Sequence, residues 1–147
     1  MDANKIMNEE IVEAGQLIDL LHSLKREGYS QLTDMTAVDF YPETPRFTLV
    51  IHLLNMDDNK RICVKIKLKE GEQVASFHSV FANSTWYERE VFDMFGIEFA
   101  DGVDGRRILT DYDFEDHPLR KDFPMSGEYE LFYDTEKKEC AYRKVVK

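Results

Sequence analysis

Cysteine is scarce in this chain: Cys63 and Cys140 are the only two in 147 residues, and no CxxC pair exists. An iron–sulfur cluster or a cysteine-only zinc site ordinarily takes four thiolates, so the chain is expected to carry neither by itself. Positive charge is also in short supply, with 19 Lys and Arg against 29 Asp and Glu. The formal charge of −10 opposes attraction to phosphate, which excludes nucleic acid and anionic lipid as primary partners. No apolar run approaches the ~20 residues of a membrane helix, so membrane contact is expected only through a partner. Residues 1–10 are polar and acidic, unlike a signal or transit peptide. His22, His52, His78 and His117 show no HxH or HExxH spacing, and there is no GxGxxG or Walker loop. Ser126 has no adjacent general base, and 102–105 reads as a turn rather than a phosphate cradle. The residues alone show no catalytic constellation.

What is present is ordinary globular material. The chain is 43% hydrophobic and 12% aromatic, more than a disordered protein carries, and its length suits one compact domain. Residues 8–25 read as an amphipathic helix, with Ile11, Ala14, Leu17, Ile18, Leu21 and Leu24 on one stripe. Asn8 serves as its N-cap and Gly28 marks its stop. Strands are expected over 33–40, 46–55 and 61–68, the last with Ile62, Val64, Ile66 and Leu68 on one face and Cys63, Lys65 and Lys67 on the other. A second helix fits Ser84–Phe95, closed by Gly96, with a brief extension over 97–99. A hairpin over 128–133 and 140–146 ends the chain around a charged turn. The expected fold class is α+β: a two-layer sheet with helices on one face, then an extended arm and a C-terminal hairpin. The division is an α/β domain over 1–99 and a partner-docking segment over 100–147.

The second helix carries Tyr87, Val91, Met94 and Phe95 on a core-like arc, with Glu88 intruding and Phe92 at the edge. Trp86, Arg89, Glu90 and Asp93 fall on the opposite arc, where Arg89 and Asp93, four apart, can pair. A tryptophan among charges of both signs suits a protein interface or a place beneath the chain's own long segment. That segment, 100–127, lacks periodicity and is far longer than an ordinary connection. It interleaves Arg106, Arg107, Arg120 and Lys121 with Ile108, Leu109, Tyr112, Phe114, Leu119 and Phe123. So many large apolar groups outside any regular element imply an arm docked on its own domain or a neighbour's, its path fixed by forked arginine contacts. Asp111, Asp113, Glu115 and Asp122 sit at the first, third, fifth and twelfth positions of a calcium loop. Asp116 stands where that loop needs glycine, and Pro118 breaks the exiting helix, so a cation-binding module is a remote alternative.

Three runs in order, Trp86-Tyr87-Glu88-Arg89-Glu90-Val91-Phe92-Asp93-Met94-Phe95-Gly96-Ile97, Arg106-Arg107-Ile108-Leu109 and His117-Pro118-Leu119-Arg120-Lys121-Asp122-Phe123-Pro124, resemble the signature of the 30 kDa subunit family of respiratory complex I, its NuoC-type component. The resemblance implies a noncatalytic assembly subunit in the peripheral arm of a proton-translocating NADH:quinone oxidoreductase. In the family such a chain wraps the D subunit, which forms the quinone site, and lies near the iron–sulfur B and I subunits. It implies no cofactor in this chain, since iron–sulfur clusters, FMN and quinone belong to partner subunits. It also implies a peripheral place on the inner membrane, cytoplasmic side, or matrix side in mitochondria. The implied interface residues are Trp86, Glu88, Arg89, Glu90, Asp93, Arg106, Arg107, His117, Arg120, Lys121 and Asp122. An equivalent subunit of a membrane-bound hydrogenase or ferredoxin-linked complex is the alternative within the same class. Two departures stand out. Phe99-Ala100-Asp101-Gly102-Val103-Asp104-Gly105 lacks the His-Pro pair and Leu common in the family, and many relatives continue into a longer tail.

Overall fold

Period-two alternation sets the central sheet in the computed structural model, which describes residues 8–101, 105–127 and 129–145. Strands β2 (Gln31–Asp39), β3 (Phe47–Asn55) and β4 (Lys60–Leu68) pair antiparallel in succession, and β1 (Asn8–Val12) adds to β4 in parallel, giving the order β1-β4-β3-β2. The register sets Leu49 against Ile66, Ile51 against Val64 and Leu53 against Ile62, with Met35 and Ala37 completing the layer from β2. These side chains are buried and form one core with Leu17, Leu21 and Leu24 of α1 (Leu17–Arg26) and Val91, Met94 and Phe95 of α2 (Ser84–Phe95). Apolar burial of this kind stabilises by ~25 cal/mol per Å², which makes the sheet–helix layer the dominant favourable contribution. The architecture is the expected α+β arrangement, a sheet with its helices packed against one face.

The first helix departs from expectation at its start. Asn8 is not an N-cap: residues 8–12 form β1, a 3-10 turn follows at Ala14–Gln16, and α1 begins only at Leu17. The exposed edge of β4 decides the matter, because its unpaired backbone groups take a parallel partner from Asn8–Val12. β-Branched Ile11 and Val12 suit that extended backbone, and Glu9 reaches Lys65 at 2.9 Å. Ile11, placed on the helical stripe by its spacing, is 67% exposed on the outer face of the sheet. The helix stop is as expected. Gly28 takes φ +97, its N–H donates to the Lys25 carbonyl, and the Tyr29 N–H donates to that of Leu24. Cys63 alternates onto the outer face yet is buried, and that burial pushes its thiol pKa up.

Beyond the sheet, β5 (Val74–Ala75) pairs in parallel with β6 (Phe99–Ala100), joining the segment before α2 to the one after it. The terminal hairpin forms from β7 (Tyr129–Asp134) and β8 (Glu139–Lys144). The Asp134 carboxylate accepts the N–H groups of Glu136 and Lys137 and so fixes its turn. The outermost positions expected for this hairpin, 128 and 146, lie outside the described residues, as does 102–104 of the departing turn. Leu21, wholly buried between α1 and the sheet, provides a test of the core. Leu21→Ala is expected to lower unfolding free energy by ~2–5 kcal/mol in denaturant titration, without altering the arm described below.

Candidate functional site

Helix α2 turns two carboxylates inward. Glu88 is wholly buried and accepts hydrogen bonds from Ser84 Oγ at 2.7 Å, Ser76 Oγ at 2.7 Å and the Phe77 N–H at 3.2 Å. Its intrusion into the apolar arc therefore has a purpose: it fastens the irregular chain at Ser76 and Phe77 to the first turn of the helix. A buried carboxylate left without such donors would cost several kcal/mol.

Asp93, five residues further along α2, holds the arm. Its Oδ2 accepts the consecutive N–H groups of Ile108 (3.0 Å), Leu109 (2.7 Å) and Thr110 (3.0 Å). Its Oδ1 accepts Thr110 Oγ1 at 2.5 Å and Arg107 Nη1 at 2.8 Å. Arg107 also donates to the Asp93 carbonyl, as does His117 Nδ1, each at 3.0 Å. The Leu119 N–H reaches the Met94 carbonyl at 3.0 Å, so the free carbonyls at the end of α2 are taken by the arm. Burial alone would raise the Asp93 pKa. The Thr110 hydroxyl, the backbone N–H groups and Arg107 outweigh it and hold the carboxyl far below the usual range. Gly96 makes room for this seat. At φ +74 it ends α2, and a Cβ there would lie 2.6 Å from His117 Cδ2.

The pairing of Arg89 with Asp93 expected from their spacing does not form. Arg89 donates instead to the carbonyls of Arg106 (3.1 Å) and Arg107 (2.9 Å), and its guanidinium lies 5.4 Å from the Trp86 ring. The reason is geometric. Three pre-aligned N–H groups and a hydroxyl satisfy a buried carboxylate better than one exposed side chain whose ion pair is worth little. Asp93 accordingly lies in the interior and not on the outer arc.

A second knot holds the far end of the arm. Arg46, 5% exposed, uses all five of its N–H donors. It forks to Asp39 (3.0 and 2.9 Å), forks to Asp122 (3.0 and 2.6 Å) and donates to Glu70 (3.0 Å). The Lys121 N–H donates to Asp39 at 2.8 Å, and Arg120 bonds Glu70 and Asp122. Burial pushes Asp39 up, but the hydrogen bonds from Arg46, Lys121 and Tyr41 dominate and hold its pKa at about 2. Arg46 lowers Asp122, and Asp39 followed by Asp122 raises Arg46.

The structure thus gathers Arg89, Asp93, Arg107 and His117 at one clasp and Arg120, Lys121 and Asp122 at another. Glu88 and Asp93 have no side-chain exposure, so neither can touch a partner directly. Trp86 is 61% exposed, and Glu90, Arg106 and Lys121 also face outward. Arg46, Asp39, Glu70 and Thr110 were not singled out by sequence reasoning. Asp39 could have been, because alternation puts it on the buried face with Met35 and Ala37. A calcium loop is not formed: Asp122 gives both oxygens to Arg46, and Asp111 accepts the Tyr142 hydroxyl. Among the described residues no group of three His, Cys, Asp or Glu side chains is arranged to hold a metal. The arm's outward side is apolar at Leu109, Tyr112, Leu119 and Met125, all more than half exposed.

The chain resembles known proteins in sequence and in fold. Residues 11–129 match the family described as respiratory-chain NADH dehydrogenase, 30 Kd subunit. The chain is 50% identical over 130 residues to the C subunit of the NADH-quinone oxidoreductase of Cereibacter sphaeroides, covering 88% of this chain and 64% of that one. It is 42% identical to the C subunit of the Roseobacter denitrificans enzyme, covering 97% and 72%. The chain therefore spans about two thirds of the length of these curated relatives. Its fold is similar to the trypsin-resistant fragment of Nqo5 (TM-score 0.64, 22% identity, 71% of this chain and 86% of that one). It is also similar to a chain of an archaeal respiratory membrane complex, the membrane-bound sulfane sulfur reductase (TM-score 0.74, 27% identity, 85% and 76%).

Two outcomes follow from the clasps. Asp93→Asn puts an amide donor among donors and is expected to weaken arm docking by roughly 3–5 kcal/mol. Hydrogen exchange should then speed at the Ile108, Leu109 and Thr110 amides while the β3 amides stay protected. Asp39, Asp93 and Asp122 have folded pKa values below their unfolded ones, so their contribution is fully present above about pH 4. It drains as pH falls through the folded values, with Asp39 protonating near 2. Fluorescence of Trp86, stacked by an arginine that also grips the arm, should report release in that acid window and not near neutrality.

Proposed function

This chain belongs to the 30 kDa subunit family of the respiratory-chain NADH dehydrogenase, and we propose that it is a noncatalytic assembly subunit of a proton-translocating NADH:quinone oxidoreductase. In this reading it supports electron transfer from NADH through iron–sulfur clusters to quinone, while the clusters, FMN and quinone are held by other subunits. The observation that carries it is the arm over 105–127. Two clasps, one centred on the Asp93 carboxylate and one on the Arg46 guanidinium, grip it from behind, and its exposed side is left apolar at Leu109, Tyr112, Leu119 and Met125. A segment of this length, fastened and outwardly greasy, has the character of a docking ridge.

We assign its partners as the D and B subunits, with the I subunit adjacent, through Trp86, Glu90, Arg106 and Lys121 on the exposed side. Arg89, Arg107, His117, Arg120 and Asp122 act by shaping the ridge, and Glu88 and Asp93 act from within. The chain divides into an α+β body over 1–99 and a docking segment over 100–147. No helix among the described residues is long and apolar enough to cross a membrane. The proposed place is peripheral, on the cytoplasmic side of the inner membrane. Likeness to the archaeal sulfane sulfur reductase complex favours a second reading, a subunit of a related ferredoxin-linked or hydrogenase-type membrane complex. The electron donor oxidised by the purified assembly separates the two.

Affinity purification of the tagged chain in mild detergent is expected to bring down the D and B subunits. Recovery as a lone monomer would overturn the proposal. Trp86→Ala, which removes a large exposed ring stacked on Arg89 but none of the hydrogen bonds that hold the arm, should cost ~2 kcal/mol of association and leave the β3 amides as protected as before.

A further inference from the structure

The helices cover only one face of the four-stranded sheet, and the other face has a charge pattern opposed to that of the whole chain. The molecule carries −10, yet β4 sets Arg61, Lys65 and Lys67 in a line along the solvent side. Lys65 is answered by Glu9 at 2.9 Å, whereas the Arg61 and Lys67 side chains meet no hydrogen-bond or ion-pair partner among the described residues. Elsewhere Arg46, Arg89, Arg107, Arg120 and Arg143 hold internal acceptors. Beside this line the same face exposes Ile11 (67%) and Val38 (40%), with Val50 half-buried between their strands. A shallow recess of about 280 Å³, lined by Thr33, Asp34, His52, Leu53 and Arg61, opens at one end.

We propose that this outer sheet face is a second docking surface, separate from the arm, and that it takes an acidic, partly apolar segment of another protein lying along β4. Charge complementarity selects the occupant. Two unanswered cations in a line on a strongly acidic protein attract carboxylates, and the neighbouring aliphatics supply area for an amphipathic segment. Glu9 and Asp34, one on each edge strand, flank the line, and Glu13, Glu70 and Glu72 share a recess with Lys67 at its far end. A narrow cationic line between acids matches one extended segment, whereas the surrounding acids and the net charge of −10 oppose a broad anionic lipid plane.

Zero-length carbodiimide coupling in the native detergent-purified assembly, followed by mass spectrometry, tests this directly. The expected product joins the Lys65 or Lys67 amine to Asp or Glu of another chain, in a segment rich in carboxylates and apolar residues. Arg61→Glu/Lys67→Glu should reduce coupling at Lys65 on the order of tenfold, as should raising salt from about 0.15 M to about 1 M. Arg61→Gln/Lys67→Gln should give an intermediate loss, and thermal melting should be unchanged in both variants. Coupling confined to this chain, or full acetylation of Lys67 in the intact assembly, would overturn the proposal. Co-sedimentation of the wild-type chain, but not the double variant, with phosphatidylglycerol vesicles would overturn it in favour of a lipid surface. Failure here leaves the chain in the assembly, whereas failure of the arm removes it, so the two readings fall separately.

Discussion

A carboxylate taken out of water must be given donors, and at Asp93 those donors are the backbone of the arm itself. Three successive N–H groups converge on one oxygen, while a hydroxyl and a guanidinium meet the other. The arrangement works in both directions. The carboxylate escapes the penalty of an unpaired buried charge, and residues 108–110, which join no helix or sheet, have their amide groups satisfied. Without this exchange neither the inward acid on α2 nor the irregular chain beside it would be tolerable. Much of the geometry around it, from the Arg107 fork to the His117 contact, serves to keep the two together.

The Arg46 knot solves a different problem. At Asp93 one acid is surrounded by many weak donors. At Arg46 one cation with five donors is surrounded by three acids drawn from β2, from the chain after β4 and from the arm. Its rigid fork lets it read two carboxylates bidentately, which lysine could not do. The arm is thereby fixed at both ends to elements that the sheet core already holds in place. Its exposed apolar side chains are presented on a scaffold and are not left to find their conformation on contact, which lessens the ordering cost of association.

Most of the fold could be read from period alone. The alternation of Ile62, Val64, Ile66 and Leu68 located β4, and Gly96 located the end of α2, because such patterns reflect local geometry. β1 is hidden in the sequence because Ile11, Ala14, Leu17 and Leu21 also satisfy a helical spacing. Only the open edge of β4, distant in sequence, selects strand over helix. In the candidate site, the arginines of the arm and the acids of α2 were recognisable as residue types. Their pairing was not, since Arg89 and Asp93 four apart look like partners until residues 106–110 arrive and divide them. Arg46 left no local pattern at all; its meaning comes from three acids supplied by three separate parts of the chain.

The closeness of Gly96 to the His117 ring bears on how this protein can change. The left-handed turn that ends α2 and the seat of the imidazole meet at a single α-carbon, and the space between them admits a hydrogen atom and nothing larger. Drift at this position therefore has no gentle first step. Even the smallest replacement would disturb the helix terminus and dislodge the ring together, so the two must vary in concert or stay as they are.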